Sequence, residues 1–214
     1  MKTALFDFDG VVADTEPIYD QFWNEVAKRY HVGVDDLAHR IKGLIIPVIM
    51  KEYFSGYTEE TRQEIIKASA DFERTMPIPP MPGSIEFIQM LKAHGVKMGL
   101  VTSSGDTKIR RSLTLLGLEH TFDTLVTADR ITKGKPDPMC FLLAAKDLNV
   151  MPKDCLVFED SLHGIQSGVA AGMRVIGLST TNPEEVLRDK VYKVIPNLEG
   201  LTFEDYMEWT REII

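Results

Sequence analysis

Cysteine is scarce in this 214-residue sequence, positive charge is outweighed, and no apolar run is long enough to cross a bilayer. The two cysteines, Cys140 and Cys155, match no metal-ligand or redox spacing, which points to a reducing compartment. Lysine and arginine number 24 against 32 aspartates and glutamates, a formal net charge of −8. Such a surface repels nucleic acid and anionic lipid, so neither is an expected partner, and an anionic substrate needs a local cation. The longest apolar run, Leu44 to Met50, is interrupted by Pro47 and falls far short of the ~20 residues a spanning helix needs. At the start, Asp7 arrives before a signal-peptide core could form. A soluble, cytoplasmic, monomeric protein is expected.

Several chemistries are missing too. The five histidines show no ligand spacing, and His163 reads as a helix-start residue. There is no Gly-x-Ser-x-Gly elbow. A P-loop is excluded around Gly134-Lys135, where Asp129 stands in place of the first glycine and Pro136 in place of Ser/Thr. Internal repeats and low-complexity tracts are absent. What remains is an ordinary globular composition, 44% hydrophobic and 26% charged, of a length for one large domain or one domain carrying an insertion.

Short apolar, β-rich runs recur at Thr3–Asp7, Lys97–Thr102, Thr124–Ala128, Cys155–Glu159 and Val175–Ser179, with a weaker edge candidate at Tyr192–Ile195. Between them, apolar spacing near 3.6 predicts helices over Ser84–Ala93, Thr107–Leu116, Cys140–Leu148 and Ser161–Ala171, and a last amphipathic helix over Phe203–Ile213. Alternating strand and helix predicts an α/β fold, a doubly wound parallel sheet covered on both faces. One interval breaks the alternation: from about Thr15 to Met76 only helices are predicted, over Tyr19–Tyr30, Asp35–Ile41, Val48–Phe54 and Glu59–Arg74. Asp14-Thr15-Glu16-Pro17 supplies an N-cap oxygen and an early proline at its entry. Met76 to Gly83, holding four of the eleven prolines, forms a stiff exit. The expected division is therefore a core of residues 1–14 and 83–214 with an inserted helical cap, linkers included, at 15–82. Gly164, Gly168 and Gly172 form a small-residue stripe for close helix–sheet packing.

Sites in parallel α/β sheets form outside the carboxyl ends of the strands, beside the switch in strand order. Those ends here are polar: Asp7-Phe8-Asp9-Gly10, Thr102-Ser103-Ser104-Gly105 and Glu159-Asp160-Ser161, with Gly134-Lys135-Pro136-Asp137-Pro138 between the third and fourth strands. Each alone is ordinary, as a helix cap, a turn or a solvated lysine. Their coincidence, in this order, resembles the haloacid dehalogenase superfamily of phosphohydrolases. Asp7 to Glu16, Gly134 to Pro138, and Phe158-Glu159-Asp160-Ser161 with Gly164-Ile165 are most similar to its β-phosphoglucomutase-like branch, and the likeness spans residues 3–180.

The resemblance implies a Rossmann-like core with a helical cap, and a role for each residue. Asp7 would be nucleophile and metal ligand. Asp9 would offer its backbone carbonyl to the metal and its side chain as general acid/base. Asp160 would be the second ligand, and Glu159 would ligate directly or through water. Thr102, assisted by Ser103, would bind phosphoryl oxygens, and Lys135 would neutralise developing charge and steady Asp7. Charge supports a metal independently: Asp7, Asp9, Glu159 and Asp160 against Lys135 leave −3, which excludes phosphate unless a divalent ion is present. An oxygen-only set suits Mg²⁺. A carboxylate of ordinary pKa, near 4, is ionised at neutral pH, so Asp7 is expected to attack without a base.

The expected reaction is hydrolysis of a small phosphorylated metabolite such as a sugar phosphate. A phosphomutase is the alternative. Lys42-Gly43 matches the start of the mutase-type cap loop, which continues Val-Ser-Arg-Glu, yet this chain continues Leu44-Ile45-Ile46-Pro47 and so lacks the arginine that holds the idle phosphate. Tyr19 replaces a histidine common in that branch. Lys42 and Tyr19 are thus the expected cap contacts to substrate. A receiver-type signalling domain fits poorly, since the Asp-x-Asp lies on strand one and a helical insert follows. Dehalogenase and phosphonatase branches lack the second aspartate, which is present here as Asp9.

Overall fold

The computed structural model describes residues 3–211. Six strands, β1 (Thr3–Phe6), β2 (Met98–Val101), β3 (Thr124–Val126), β4 (Cys155–Glu159), β5 (Arg174–Leu178) and β6 (Lys193–Ile195), form one sheet in the order β3-β2-β1-β4-β5-β6. Every pairing is parallel. The chain builds outward from β1 on one side, then returns to start again with β4 on the other. The strand order therefore reverses between β1 and β4, and a crevice opens at their carboxyl ends.

Because side chains alternate across a strand, the apolar runs feed two cores. Ala4 and Phe6 point to one face with Leu100, Phe158 and Ile176, where α5 (Ser84–Ala93), α6 (Asp106–Leu116) and α10 (Phe203–Trp209) cover them. Leu5, Val101, Val157 and Val175 point to the other, under α7 (Met139–Asp147), α8 (Leu162–Ala170) and α9 (Glu184–Leu187). Phe6 stacks on Phe158 at 4.7 Å, with Phe87 edge-on to both. Such pairs add about 0.5–1.5 kcal/mol each beyond area burial, and they brace the two strands that flank the crevice.

Helices α1 (Glu16–Arg29), α2 (Leu37–Arg40), α3 (Ile46–Tyr53) and α4 (Glu59–Thr75) bury a separate cluster that includes Trp23, Leu37, Ile49, Phe54 and Ile65. The two connections to the sheet run side by side: Asp14 N–H donates to Pro79 O at 2.9 Å and Met81 N–H to Val12 O at 3.0 Å. Pro79 loses nothing by lacking an N–H there, because the connection uses its carbonyl.

Several local expectations are revised. Thr15 caps α1 by position, but its hydroxyl does not bond the helix; it donates to Asp9 Oδ1 at 2.5 Å. The helix starts at Glu16 rather than Tyr19, with Pro17 in the first turn. Helix α10 ends at Trp209; the expected Glu212–Ile213 extension lies outside the described residues. The short α9 has no apolar stripe long enough to read. Of the glycine stripe, Gly168 packs as expected, since a Cβ there would lie 2.9 Å from Val175, whereas Gly172 has open space around it and ends the helix at φ +74.

Candidate active site

At the end of β1 the backbone leaves the ladder after Asp7 N–H donates to Phe158 O. Phe8 O then accepts from the amides of Val11, Val12 and Ala13, closing a tight loop that holds Asp7 and Asp9 at the crevice. Gly10 makes the turn at φ +78, and a Cβ there would collide with the Asp160 carboxylate. Only glycine lets the first and fourth strand ends approach this closely.

Two buried lysines organise the carboxylates. Lys135 Nζ lies 2.9 Å from Asp7 Oδ1 and 2.5 Å from Glu159 Oε1. Lys108 Nζ lies 2.5 Å from Asp9 Oδ1 and 2.8 Å from Ser104 Oγ, and 4.6 Å from the centre of the Tyr19 ring. Asp9 also accepts from Thr15 and Ser104. Burial pushes the Asp9 carboxyl up, but Lys108 and these donors prevail and hold it below its usual value. Lys108 has no place in the sequence-based site. Its signal is faint but real: Lys108 and Ser112, four apart on α6, lie on the buried side of that helix with Ile109 and Leu113.

Glu159 is fully occupied. Oε1 accepts from Lys135, and Oε2 accepts from the amides of Asp160 and Ser161 at 2.8 and 2.9 Å and from Ser161 Oγ. Gly164 leaves room for it, since a Cβ there would overlap the carboxylate. Asp160 differs: Oδ2 accepts from Thr181, while Oδ1 is buried without a hydrogen-bond partner. Thr181 and Asn182, which donates to Asp160 O at 3.0 Å, come from the end of β5, a strand end that the sequence reading left out. Thr102 is buried at the crevice and accepts from Ser104 N–H, and Ser103 Oγ donates to Gly43 O at 2.7 Å, tying the helical unit to the sheet.

Oxygens of Asp7, Glu159 and Asp160 lie within 4.8 Å of one another. Burial pushes Asp7 up to about 8, with Lys135 opposing and Glu159 and Asp9 adding repulsion. Burial, Glu159 and Glu16 push Asp160 well above its usual value. The expectation of an ordinary, fully ionised Asp7 therefore fails for the bare site, because desolvation outweighs the lysine. All-oxygen donors, raised carboxyls and an orphaned Asp160 Oδ1 together fit a hard divalent cation such as Mg²⁺.

The cavity beside these groups is walled by α1 through Glu16, Tyr19 and Trp23, by α4 through Ser69 and Glu73, and by apolar residues from Ala38 to Ile49. Lys42 and Tyr19 both line it, but neither is free. Lys42 Nζ is 2.9 Å from Glu16 and 3.1 Å from Asp20, and Tyr19 donates to Glu73 Oε1 at 2.7 Å.

A doubly wound sheet carrying paired acids and a buried lysine at its switch point defines an α/β enzyme. The chain belongs to the haloacid dehalogenase-like hydrolase family, whose model matches residues 4–178. It is 32% identical to a phosphorylated carbohydrates phosphatase of Thermotoga maritima, over 83% of this chain and 85% of that protein. It is also 32% identical to a β-phosphoglucomutase of Bacillus subtilis, over 86% of this chain and 85% of that protein. In structure it resembles a β-phosphoglucomutase from Clostridium difficile, with a TM-score of 0.82 at 24% identity over 98% of this chain and 97% of that one. Among the described residues no helix is long and apolar enough to cross a membrane.

Proposed function

We propose that this chain is a Mg²⁺-dependent phosphatase that hydrolyses a small phosphorylated metabolite, a sugar phosphate or similar, through an aspartyl-phosphate on Asp7. The observation that carries the reading is the meeting of Asp7 and Asp160 at adjacent strand ends, with Lys135 reaching Asp7 from the loop before α7 and Asp160 Oδ1 lacking a partner. Asp7 Oδ attacks phosphorus as the ester P–O bond breaks, and the Asp9 carboxyl gives its proton to the leaving alkoxide. Water then attacks the phosphorus, Asp9 takes its proton, the acyl-phosphate bond breaks toward Asp7, and inorganic phosphate departs. Lys108 and the two hydroxyls hold Asp9 below its usual value in the bare site, and the proton it takes from the attacking water in the second step is the one it gives to the next leaving alkoxide, so the cycle balances. Thr102 donates to a phosphoryl oxygen, Ser103 assists, and Lys135 offsets charge on the equatorial oxygens.

Mg²⁺, held by Asp7, Asp160 and the Asp9 carbonyl with Glu159 directly or through water, would supply the positive charge that lets phosphate approach a carboxylate. The four donors already on Glu159 support the water-mediated arrangement. Residues 15–82 serve as cap with linkers over a core of 1–14 and 83–214, a division supported by the separate apolar cluster of α1–α4. The buried free thiols of Cys140 and Cys155 support a cytoplasmic setting. Phosphate release from a panel of phosphorylated metabolites tests the reading: activity should vanish with EDTA and return with Mg²⁺, and full activity after verified metal removal refutes it.

The mutase reading is favoured by the Bacillus relative. Against it, Ile46 lines the cavity where a cation is needed, and Lys42 is committed to Glu16 and Asp20. β-Glucose 1-phosphate primed with glucose 1,6-bisphosphate should give inorganic phosphate or nothing; glucose 6-phosphate accumulating faster than phosphate makes the enzyme a mutase.

A further inference from the structure

The cavity has two chemically different ends. Asp7, Asp9, Thr102 and Asp160 form the end where phosphorus would react, and the leaving group must lie toward α1, α3 and α4. That second end has apolar walls, Trp23, Ile46 and Ile49 among them, and two carboxylates, Glu16 and Glu73, stand among its polar side chains. Glu73 is the one on α4, one turn beyond Ser69. Tyr19 fixes it by donating to Oε1, and the Tyr19 ring is in turn held by Phe72 edge-on at 5.7 Å and by Lys108. The Lys42 ammonium, the one cation lining the cavity among the described residues, is already shared between Glu16 and Asp20.

We propose that Glu73, positioned by Tyr19, is the specificity-determining residue at the leaving-group end, selecting phosphate monoesters of uncharged or ammonium-bearing alcohols against those carrying a second anionic group. The inference rests on the phosphatase reading and adds to it the charge of the alcohol. A hydroxyl or ammonium of the leaving group donates to the Glu73 carboxylate. A second phosphate or a carboxylate finds no uncommitted cation and meets Glu73 and Glu16 instead, an unpaired desolvated charge of the kind binding sites use to reject wrong ligands.

Three α-D-pyranosyl phosphates share one ring and differ in charge: glucosamine 1-phosphate, glucose 1-phosphate and glucuronic acid 1-phosphate. Each competes against p-nitrophenyl phosphate turnover in saturating Mg²⁺, and the inhibition constants are compared. For the wild type, glucuronic acid 1-phosphate should bind at least about tenfold more weakly than glucose 1-phosphate, the scale of one screened like-charge contact, and glucosamine 1-phosphate at least as tightly. Glu73→Gln should compress the spread to within about threefold. Should that variant not fold, Glu73→Ala, which removes the same charge, should compress it in the same direction. Equal constants in the wild type, tightest binding of glucuronic acid 1-phosphate, or a spread unchanged in a folded variant overturns the inference. No turnover of p-nitrophenyl phosphate by the wild type overturns the phosphatase reading itself, so the two failures are told apart.

Discussion

Replacing Lys108 with methionine keeps the side chain as far as Cε and removes its charge, which leaves Asp9 with Thr15 and Ser104 alone. Removing one partner of a buried ion pair costs about 3–5 kcal/mol, because the other charge remains without compensation. Asp9 keeps two donors, so the lower end, about 3 kcal/mol at pH 7, is the expected loss. For a chain of this size that lowers the melting temperature by about 6–12 °C. The pH dependence identifies the cause. In the wild type the Asp9 carboxyl is held below its unfolded value, so its stabilisation is present above that value and is lost as pH falls through the folded one. In Lys108→Met only burial and two hydrogen bonds remain, its folded value rises, and the variant loses stability as pH climbs from the acid range. The gap between the two proteins should therefore be widest near pH 7 and shrink to about 1 kcal/mol or less near pH 4. Urea unfolding of both proteins at several pH values in EDTA measures it. A gap that does not change with pH, or one under about 1 kcal/mol at pH 7, refutes the view that Lys108 holds Asp9 ionised.

Asp7→Asn should abolish turnover yet stabilise the metal-free protein by about 1 kcal/mol or more at pH 7, since it removes a buried carboxyl raised to about 8 whose ionisation opposes folding above its unfolded pKa; a lower melting temperature in EDTA contradicts this. Asp9→Asn should lose about 10²–10⁴-fold on alkyl phosphates, the usual worth of a proton donor, and much less on p-nitrophenyl phosphate; equal losses remove Asp9 from the general-acid role. Asp160→Asn should weaken Mg²⁺ affinity, read by calorimetry, more than it weakens folding, and an unchanged affinity removes Asp160 as ligand.

The strands and their covering helices are legible because each carries its own period: Leu5 and Phe6 face opposite cores from neighbouring positions, and Ile109 and Leu113 repeat at helical spacing. Polar residues at the strand ends stand out against those runs, which is why Asp7, Thr102, Glu159 and Asp160 can be gathered from a list of letters. Lys135 is also legible, through its prolines, though nothing local indicates that it is buried. Thr15 shows where local reading stops, for the hydroxyl that should cap α1 is instead spent on Asp9, a choice made by the fold of the loop before it.

By itself, then, the sequence determined the elements, their alternation, the helical interval between the first two strands and the acids at the strand ends, because all of these are set by neighbours within a few turns or a few pleats. Tertiary structure alone decided that β4 lies against β1, which brings Asp160 to Gly10 and Lys135 to both Asp7 and Glu159. It also decided which charges are spent. Lys42 has the look of a free cation in the sequence and is committed to Glu16 and Asp20, while Lys108 has the look of a helix-surface lysine and is buried against Asp9. Pairing between residues 20 to 150 positions apart follows from packing and desolvation across the whole molecule, and no local pattern records it.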